Sequence, residues 1–335
     1  MYDELIKVLV PALVSIVTAN SMINWWINTG RRLGYVSRDM NKPGDHYVVE
    51  SGGIWVILSI TFGMLIYIAM DIYLEKDVDT LPLLTISMTL LLAGLLGFLD
   101  DILGWKKGIS PGKRVLFTIP IAIPLMVIKA GYSVIEIPFI GPIDLGLLYP
   151  LLVVPIGVMG ASNAFNMIAG YNGLEAMQGI LITFFTLIFS FIKGIHSVVP
   201  PLVIALSTLL VFYNYNKYPA RVFPGNSLTY GYGAFYASVV IYGNFEKFGL
   251  MMFALYFIEF SLFVRGLVNR VYKENFGKVA DNGDLMPPYD KVYSLTHLAI
   301  KMNILIKGNC REIDVVKVIA ILQVMTGLMA VLFNL

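Results

Sequence analysis

The sequence predicts an all-α polytopic membrane protein: about ten transmembrane helices forming one domain over residues 1–335, with chemistry-bearing loops on the cytoplasmic side and a short outer β-hairpin. Three observations lead there. Hydrophobic residues make up 57% of the chain and charged residues 14%, against roughly 25% charged in soluble domains. Apolar stretches recur from end to end, and the hydrocarbon core of a bilayer needs roughly 20 helical residues per crossing. The Lys and Arg residues, finally, are distributed unevenly among the connections between those stretches.

The apolar stretches fall at about 5–27, 53–74, 81–99, 115–130, 145–160, 177–193, 198–213, 228–242, 248–268 and 315–334. If they alternate sides, 19 of the 24 Lys and Arg residues lie in one set of connections, including Arg31, Arg32, Arg38, Lys42, Lys113, Arg114 and the basic residues of the long 265–317 segment. Positive charge marks the cytoplasmic side, so both termini are predicted outside or in a lumen. Segment 131–147, GYSVIEIPFIGPIDLGL, alternates apolar residues around Gly141-Pro142 and predicts the hairpin on the outer face. A sheet within the bilayer is excluded because its edge groups would go unsatisfied.

The lone Cys310 allows no internal disulfide, and no Cys/His cluster suggests structural zinc. The amino terminus, MYDELIKVLV, is acidic before its apolar run and lacks a small-residue cleavage site, so the first helix is expected to be retained. No internal repeat or low-complexity tract is visible, and no nucleic-acid partner is expected.

Three polar clusters fall on the positive side. The third apolar stretch ends in Asp100-Asp101, followed by Lys106, Lys107, Lys113 and Arg114. Adjacent carboxylates at a membrane boundary repel each other, so either this is a solvated helix end or a cation sits there. Oxygen ligands suit Mg²⁺, with Mn²⁺ as the alternative. Next comes NAFNMIAGYNGLE, residues 163–175, whose three asparagines and two glycines supply amide groups and open backbone suited to a base edge and a diphosphate. A capping turn accounts for Asn172-Gly173 alone. The third, RVFPGNSLT from Arg221, reads either as an ordinary capped helix start or as a phosphate site in which Asn226 offers a carbonyl ligand and Ser227 a helix amino terminus.

With DMNK (39–42) and ESGG (50–53), these segments resemble the polyprenyl-phosphate N-acetylhexosamine-1-phosphate transferase superfamily. The likeness points to its dolichol-type, archaeal or eukaryotic branch, related to the bacterial phospho-MurNAc-pentapeptide translocase. It covers most of the chain. It implies transfer of N-acetylglucosamine 1-phosphate, or a related HexNAc 1-phosphate, from a UDP-sugar to dolichyl or polyprenyl phosphate, as the first membrane step of N-glycan or surface-glycan assembly. That places the chain in the plasma membrane if archaeal and in the endoplasmic reticulum if eukaryotic; a homodimer is left open.

Carried over position by position, the resemblance makes Asp100 and Asp101 the acidic pair at the metal and lipid phosphate, and Asn166 a magnesium and catalytic-centre residue. Gly170 and Asn172 would contact uracil with Phe223 stacking on it, Lys113 or Arg114 would hold phosphate, and Met40 and Glu50 would lie beside the nucleotide. Two departures stand out. Asn226 replaces an Asp of the family's FxGD, and the 265–315 loop lacks a PRHR-like sequence. The rival from another class is a polytopic membrane transporter, suggested by the helix count and by Glu259, Asn20 and Asn24 in or near apolar spans.

Overall fold

A computed structural model describes residues 2–74, 80–103, 111–137 and 141–335. In chain order, helix α1 (Tyr2–Leu33) is followed by the antiparallel pair β1 (Val36–Arg38) and β2 (Tyr47–Val49), then α2 (Gly53–Tyr73), α3 (Thr80–Leu103), α4 (Pro111–Thr118) and α5 (Ile123–Val127). A second pair, β3 (Val134–Ile137) and β4 (Gly141–Asp144), precedes α6 (Val154–Phe165), α7 (Leu174–Lys193), α8 (Val199–Asn216) and α9 (Gly225–Gly243). The chain ends with α10 (Glu246–Met252), α11 (Ala254–Val268), the short pair β5 (Lys278–Val279) and β6 (Leu285–Met286), α12 (Leu295–Lys307) and α13 (Glu312–Phe333).

Six of these helices are long and apolar enough to cross a membrane, and α10 with α11 forms a seventh apolar pair bent by 57°. The bundle is therefore an integral membrane protein by length and composition. The predicted fourth stretch is not one continuous α-helix: Pro120 and Pro124 lie in and just after a 3₁₀ turn over Ile119–Ala122 that separates α4 from α5, as expected where proline removes a backbone donor. Within 131–147 the described residues form the antiparallel strand pair β3 and β4, with Ile137 opposite Gly141.

Between helices in lipid, apolar burial gives little net drive, and close contact of small residues does more. The α3–α9 contact depends on this. A Cβ on Gly97 would lie 2.2 Å from the carbonyl oxygen of Asn226, so any larger residue would push the last turn of α3 away from the first turn of α9. On its other side α9 packs against α6, while α2 fits among α1, α3, α8 and α9, and α13 lies on α7. Two carboxylates buried within helices are ion-paired, which offsets the cost of an isolated charge in hydrocarbon: Asp71 with Lys7 between α1 and α2, and Glu259 of α11 with Lys273.

Candidate active site

Helix α3 runs on through Asp100-Asp101, which places both carboxylates in its final turn beside the start of α9. The first amides of a helix have no intrahelical acceptors, and α9 has no side-chain cap of its own. Asp101 supplies it from the neighbouring helix: Oδ1 accepts from the backbone N of Asn226 (2.7 Å) and Oδ2 from that of Ser227 (3.2 Å). Gly225 makes room, since a Cβ there would lie 2.3 Å from Asp101 Oδ2. The phosphate site expected at this helix amino terminus is thus filled by a carboxylate of the chain itself. Ser227, fully buried, is likewise turned inward to the carbonyl oxygen of Pro224.

Asn226 does not cap α9 with its side chain. Its Nδ2 donates to Asp100 Oδ2 at 3.0 Å. One turn later Thr229 donates to Asn166 Oδ1, also at 3.0 Å, which ties the asparagine-rich segment to the acidic pair. Asp100, Asp101, Asn166 and Asn226, more than 120 residues apart at the extremes, meet in one place.

The loops are stitched by main-chain bonds. Phe223 N donates to Val49 O (2.7 Å), Gly52 N to Phe223 O (2.8 Å) and Gly53 N to Pro224 O (2.9 Å), so the ESGG and FPGN segments run side by side. Asn41 Nδ2 donates to Gly170 O at 2.8 Å, joining the first loop to the asparagine-rich one. Together they enclose a cavity of about 580 Å³. Its walls include the four residues above and Met40, Glu50, Gly170 and Phe223.

Two expected site residues, Lys113 and Asn172, are not among its described walls. Lys113 is exposed on α4, and the side chain of Arg114 lies outside the described residues, as do Lys106 and Lys107. Asn172 is buried behind the cavity: its backbone N donates to Glu312 Oε1 (2.7 Å) and its Nδ2 to Asp39 Oδ2 (3.0 Å) and Glu312 Oε2 (3.3 Å). Both amide hydrogens are thereby held by carboxylates, with Lys42 paired to Asp39 and 3.5 Å from Glu312.

Sequence reading missed Asp39, Glu175 and Phe276, all of which line the cavity, and Glu312, which holds Asn172. DMNK and AGYNGLE already contained the first two; nothing in the sequence marked Phe276 or Glu312. The charges are unbalanced, with Asp39, Glu50, Asp100, Asp101 and Glu175 facing Arg38 among the described lining residues. Burial pushes the Glu50 carboxyl above its ordinary range, against hydrogen bonds from Ser37 and the Ser51 amide that lower it.

This donor set fits a hard divalent cation. Asp100 and Asp101 offer carboxylate oxygens, Asn166 and Asn226 amide carbonyls, and neither histidine nor cysteine is among the described lining residues. An acidic cavity of this kind would repel a phosphorylated substrate without added positive charge. No group of three or more His, Cys, Asp or Glu side chains converges among the described residues. An ion here would complete its shell from water and phosphate oxygens, the usual habit of Mg²⁺.

A family described as glycosyl transferase family 4 matches residues 83–244, the stretch from α3 to α9 that carries the acidic pair and both later clusters. The chain is 31% identical, over 99% of its own length and 98% of the relative's, to a protein of Saccharolobus solfataricus carrying the provisional name UDP-N-acetylglucosamine–dolichyl-phosphate N-acetylglucosaminephosphotransferase. It is 26% identical to the Dictyostelium discoideum enzyme of that name over 66% of this chain and 63% of the relative. It is also 32% identical to the phospho-N-acetylmuramoyl-pentapeptide-transferase of Petrotoga mobilis over 64% of this chain and 67% of the relative.

Proposed function

The chain belongs to glycosyl transferase family 4, and from that premise we propose that it transfers N-acetylglucosamine 1-phosphate from UDP-N-acetylglucosamine to dolichyl phosphate, releasing UMP. The observation that carries this reading is the convergence of Asp100, Asp101, Asn166 and Asn226 with Gly170 and Phe223 around one cavity.

In this reaction a phosphate oxygen of the lipid attacks the β-phosphorus of the donor, the bond to the bridging oxygen breaks, and UMP leaves with the electron pair. A phosphate monoester has a second pKa of about 6 and is mostly dianionic at neutral pH, so no strong base is needed; Asp100 serves as the available proton acceptor. Asp100, Asp101, Asn166 and Asn226 would hold Mg²⁺, or Mn²⁺ in its place. Such an ion neutralises charge on the transferring phosphoryl group. Met40, Glu50, Gly170 and Phe223 flank the nucleotide, while Asn172 shapes the Gly170 turn from behind. Lys113 and Arg114, on the first turns of α4, are the candidates for the lipid phosphate.

The finer architecture belongs to the same proposal. Six long helices, the bent α10–α11 pair, α9 and the two shorter apolar segments Val115–Val127 and Tyr149–Phe165 supply ten crossings. The lopsided Lys and Arg distribution puts the cavity on the cytoplasmic side and both termini opposite. The reading is tested by incubating the purified chain with sugar-labelled UDP-N-acetylglucosamine and a short dolichyl phosphate. Label should enter the lipid extract with Mg²⁺ and not with a chelator; an unlabelled lipid fraction under both conditions would refute it.

A further inference from the structure

The connection from α11 to α12 lacks the PRHR-like sequence of the family, and among the described residues it reaches the cavity through Phe276, which the preceding residue anchors. Asn275 is bonded on every side. Its Nδ2 donates to the carbonyl oxygens of Met167 (2.9 Å) and Ala169 (3.2 Å), and its Oδ1 accepts from Lys273 Nζ (3.0 Å). Its main-chain carbonyl accepts from the Tyr171 hydroxyl (3.0 Å) and the Thr296 hydroxyl (2.8 Å). Lys273 is itself paired with Glu259, whose Oε2 accepts from the backbone N of Leu295 at 2.7 Å. The segment is therefore fastened at once to α11, to the start of α12 and to the 167–171 turn.

The next residue, Phe276, is carried by this anchorage to the cavity wall. Its ring lies over Gly170, which has φ +102°; a Cβ there would come within 2.8 Å of Phe276 Cε1. Carboxylates and asparagines share the rest of the wall with the aromatic residues Tyr35, Tyr171 and Phe223, and Phe276 differs from these in lying against the Gly170 turn. An aromatic ring beside a bare glycine backbone suits a planar heterocycle better than sugar hydroxyls or phosphate, because every base has a face on which such a ring can stack.

We propose that Phe276 is a donor-positioning residue, an apolar wall for the planar base of a uridine diphospho-sugar, and that Asn275 is the positioning residue that keeps this wall in register with the Gly170 turn. This rests on the UDP-sugar reading above. The donor base would then be gripped by a segment outside the 83–244 stretch that defines the family match.

Two measurements on the full-length protein in detergent test it: equilibrium binding of UMP, and initial rates with donor and acceptor varied separately. Phe276→Ala should weaken UMP binding and raise the KM for UDP-N-acetylglucosamine about ten-fold, with kcat within two-fold and the KM for dolichyl phosphate unchanged. Phe276→Leu, which keeps apolar volume without the ring, should lose most of the same affinity, and Phe276→Tyr should regain it. Asn275→Ala should raise the same KM and lower the melting temperature. Unchanged UMP affinity in folded Phe276→Ala and Phe276→Leu overturns the inference, as does an effect confined to dolichyl phosphate. A wild-type protein that binds no UMP fails at the earlier step, the uridine reading itself.

Discussion

Asn226 presents its backbone N–H to Asp101 Oδ1 at 2.7 Å, so a carboxylate at the end of α3 closes the amino terminus of α9. The acidic pair is thereby divided in task. Asp101 holds two amides of α9, while Asp100, 2% exposed, meets the side chain of Asn226.

This division separates two substitutions. Asp101→Asn should nearly abolish transfer and also destabilise the fold by about 2 kcal/mol, because an amide with one acceptor oxygen replaces the two carboxylate oxygens that hold two part-buried helix-terminal N–H groups. Asp100→Asn should lose most of the rate with a smaller fall in melting temperature. Turnover together with thermal unfolding checks both; wild-type turnover of either variant at saturating Mg²⁺ would remove the pair from the reaction.

Asn226→Asp sets a carboxylate where an amide now donates to Asp100 at 3.0 Å. Like charges a few ångströms apart cost about 1–4 kcal/mol at effective dielectrics of about 80 to 20. Without metal the variant should melt lower than wild type; with Mg²⁺ it should recover, keep activity and show a several-fold lower half-saturating Mg²⁺. Asn226→Ala should lose both rate and metal response. A magnesium titration read by rate and by melting temperature distinguishes these outcomes from a purely structural Asn226, for which the Mg²⁺ dependence of both variants would match wild type.

How much of this was legible in the sequence depends on the distance over which each contact acts. Asp100-Asp101, the asparagine-rich segment and FPGN are local motifs at helix ends, and the structure brings them to one cavity. Asn172 was expected at the base and instead lies behind the cavity, because its two amide hydrogens are taken by Asp39 and Glu312, 133 and 140 residues away. Asn275 is similar: it reaches Met167 and Ala169 across more than 100 residues, and neither NFG nor its surroundings has a spacing that announces this. The α10–α11 bend also left no mark, for no proline or glycine lies at Phe253.

His297 should give the fold an acid limit. Burial pushes its pKa down to about 4, against a bond between Nε2 and the carbonyl oxygen of Glu274. The unfolded chain takes up this proton near the ordinary value of about 6.5 while the folded chain does not. Stability is thus full above that value and declines as pH falls towards 4. Thermal unfolding between pH 7.5 and 5 should show this decline, and His297→Gln should flatten it; an equal slope in both proteins would assign the acid sensitivity to other groups.

Orientation can be read by labelling. A cysteine at Asn282 should react with an impermeant thiol reagent from the cytoplasmic side only, and one at Tyr132 from the opposite side only; the native Cys310 is fully buried and adds little background. The reverse pattern would place the cavity on the face away from nucleotide sugars.

The central claim is transfer of a sugar 1-phosphate rather than of the sugar alone, and the position of one phosphorus atom decides it. UDP-N-acetylglucosamine labelled with ³²P at the β-phosphate is incubated with the purified protein, Mg²⁺ and dolichyl phosphate, and the lipid and nucleotide products are separated. The account predicts that the label moves into the lipid and that the nucleotide released is unlabelled UMP. Label retained in UDP, with sugar on the lipid, would contradict it.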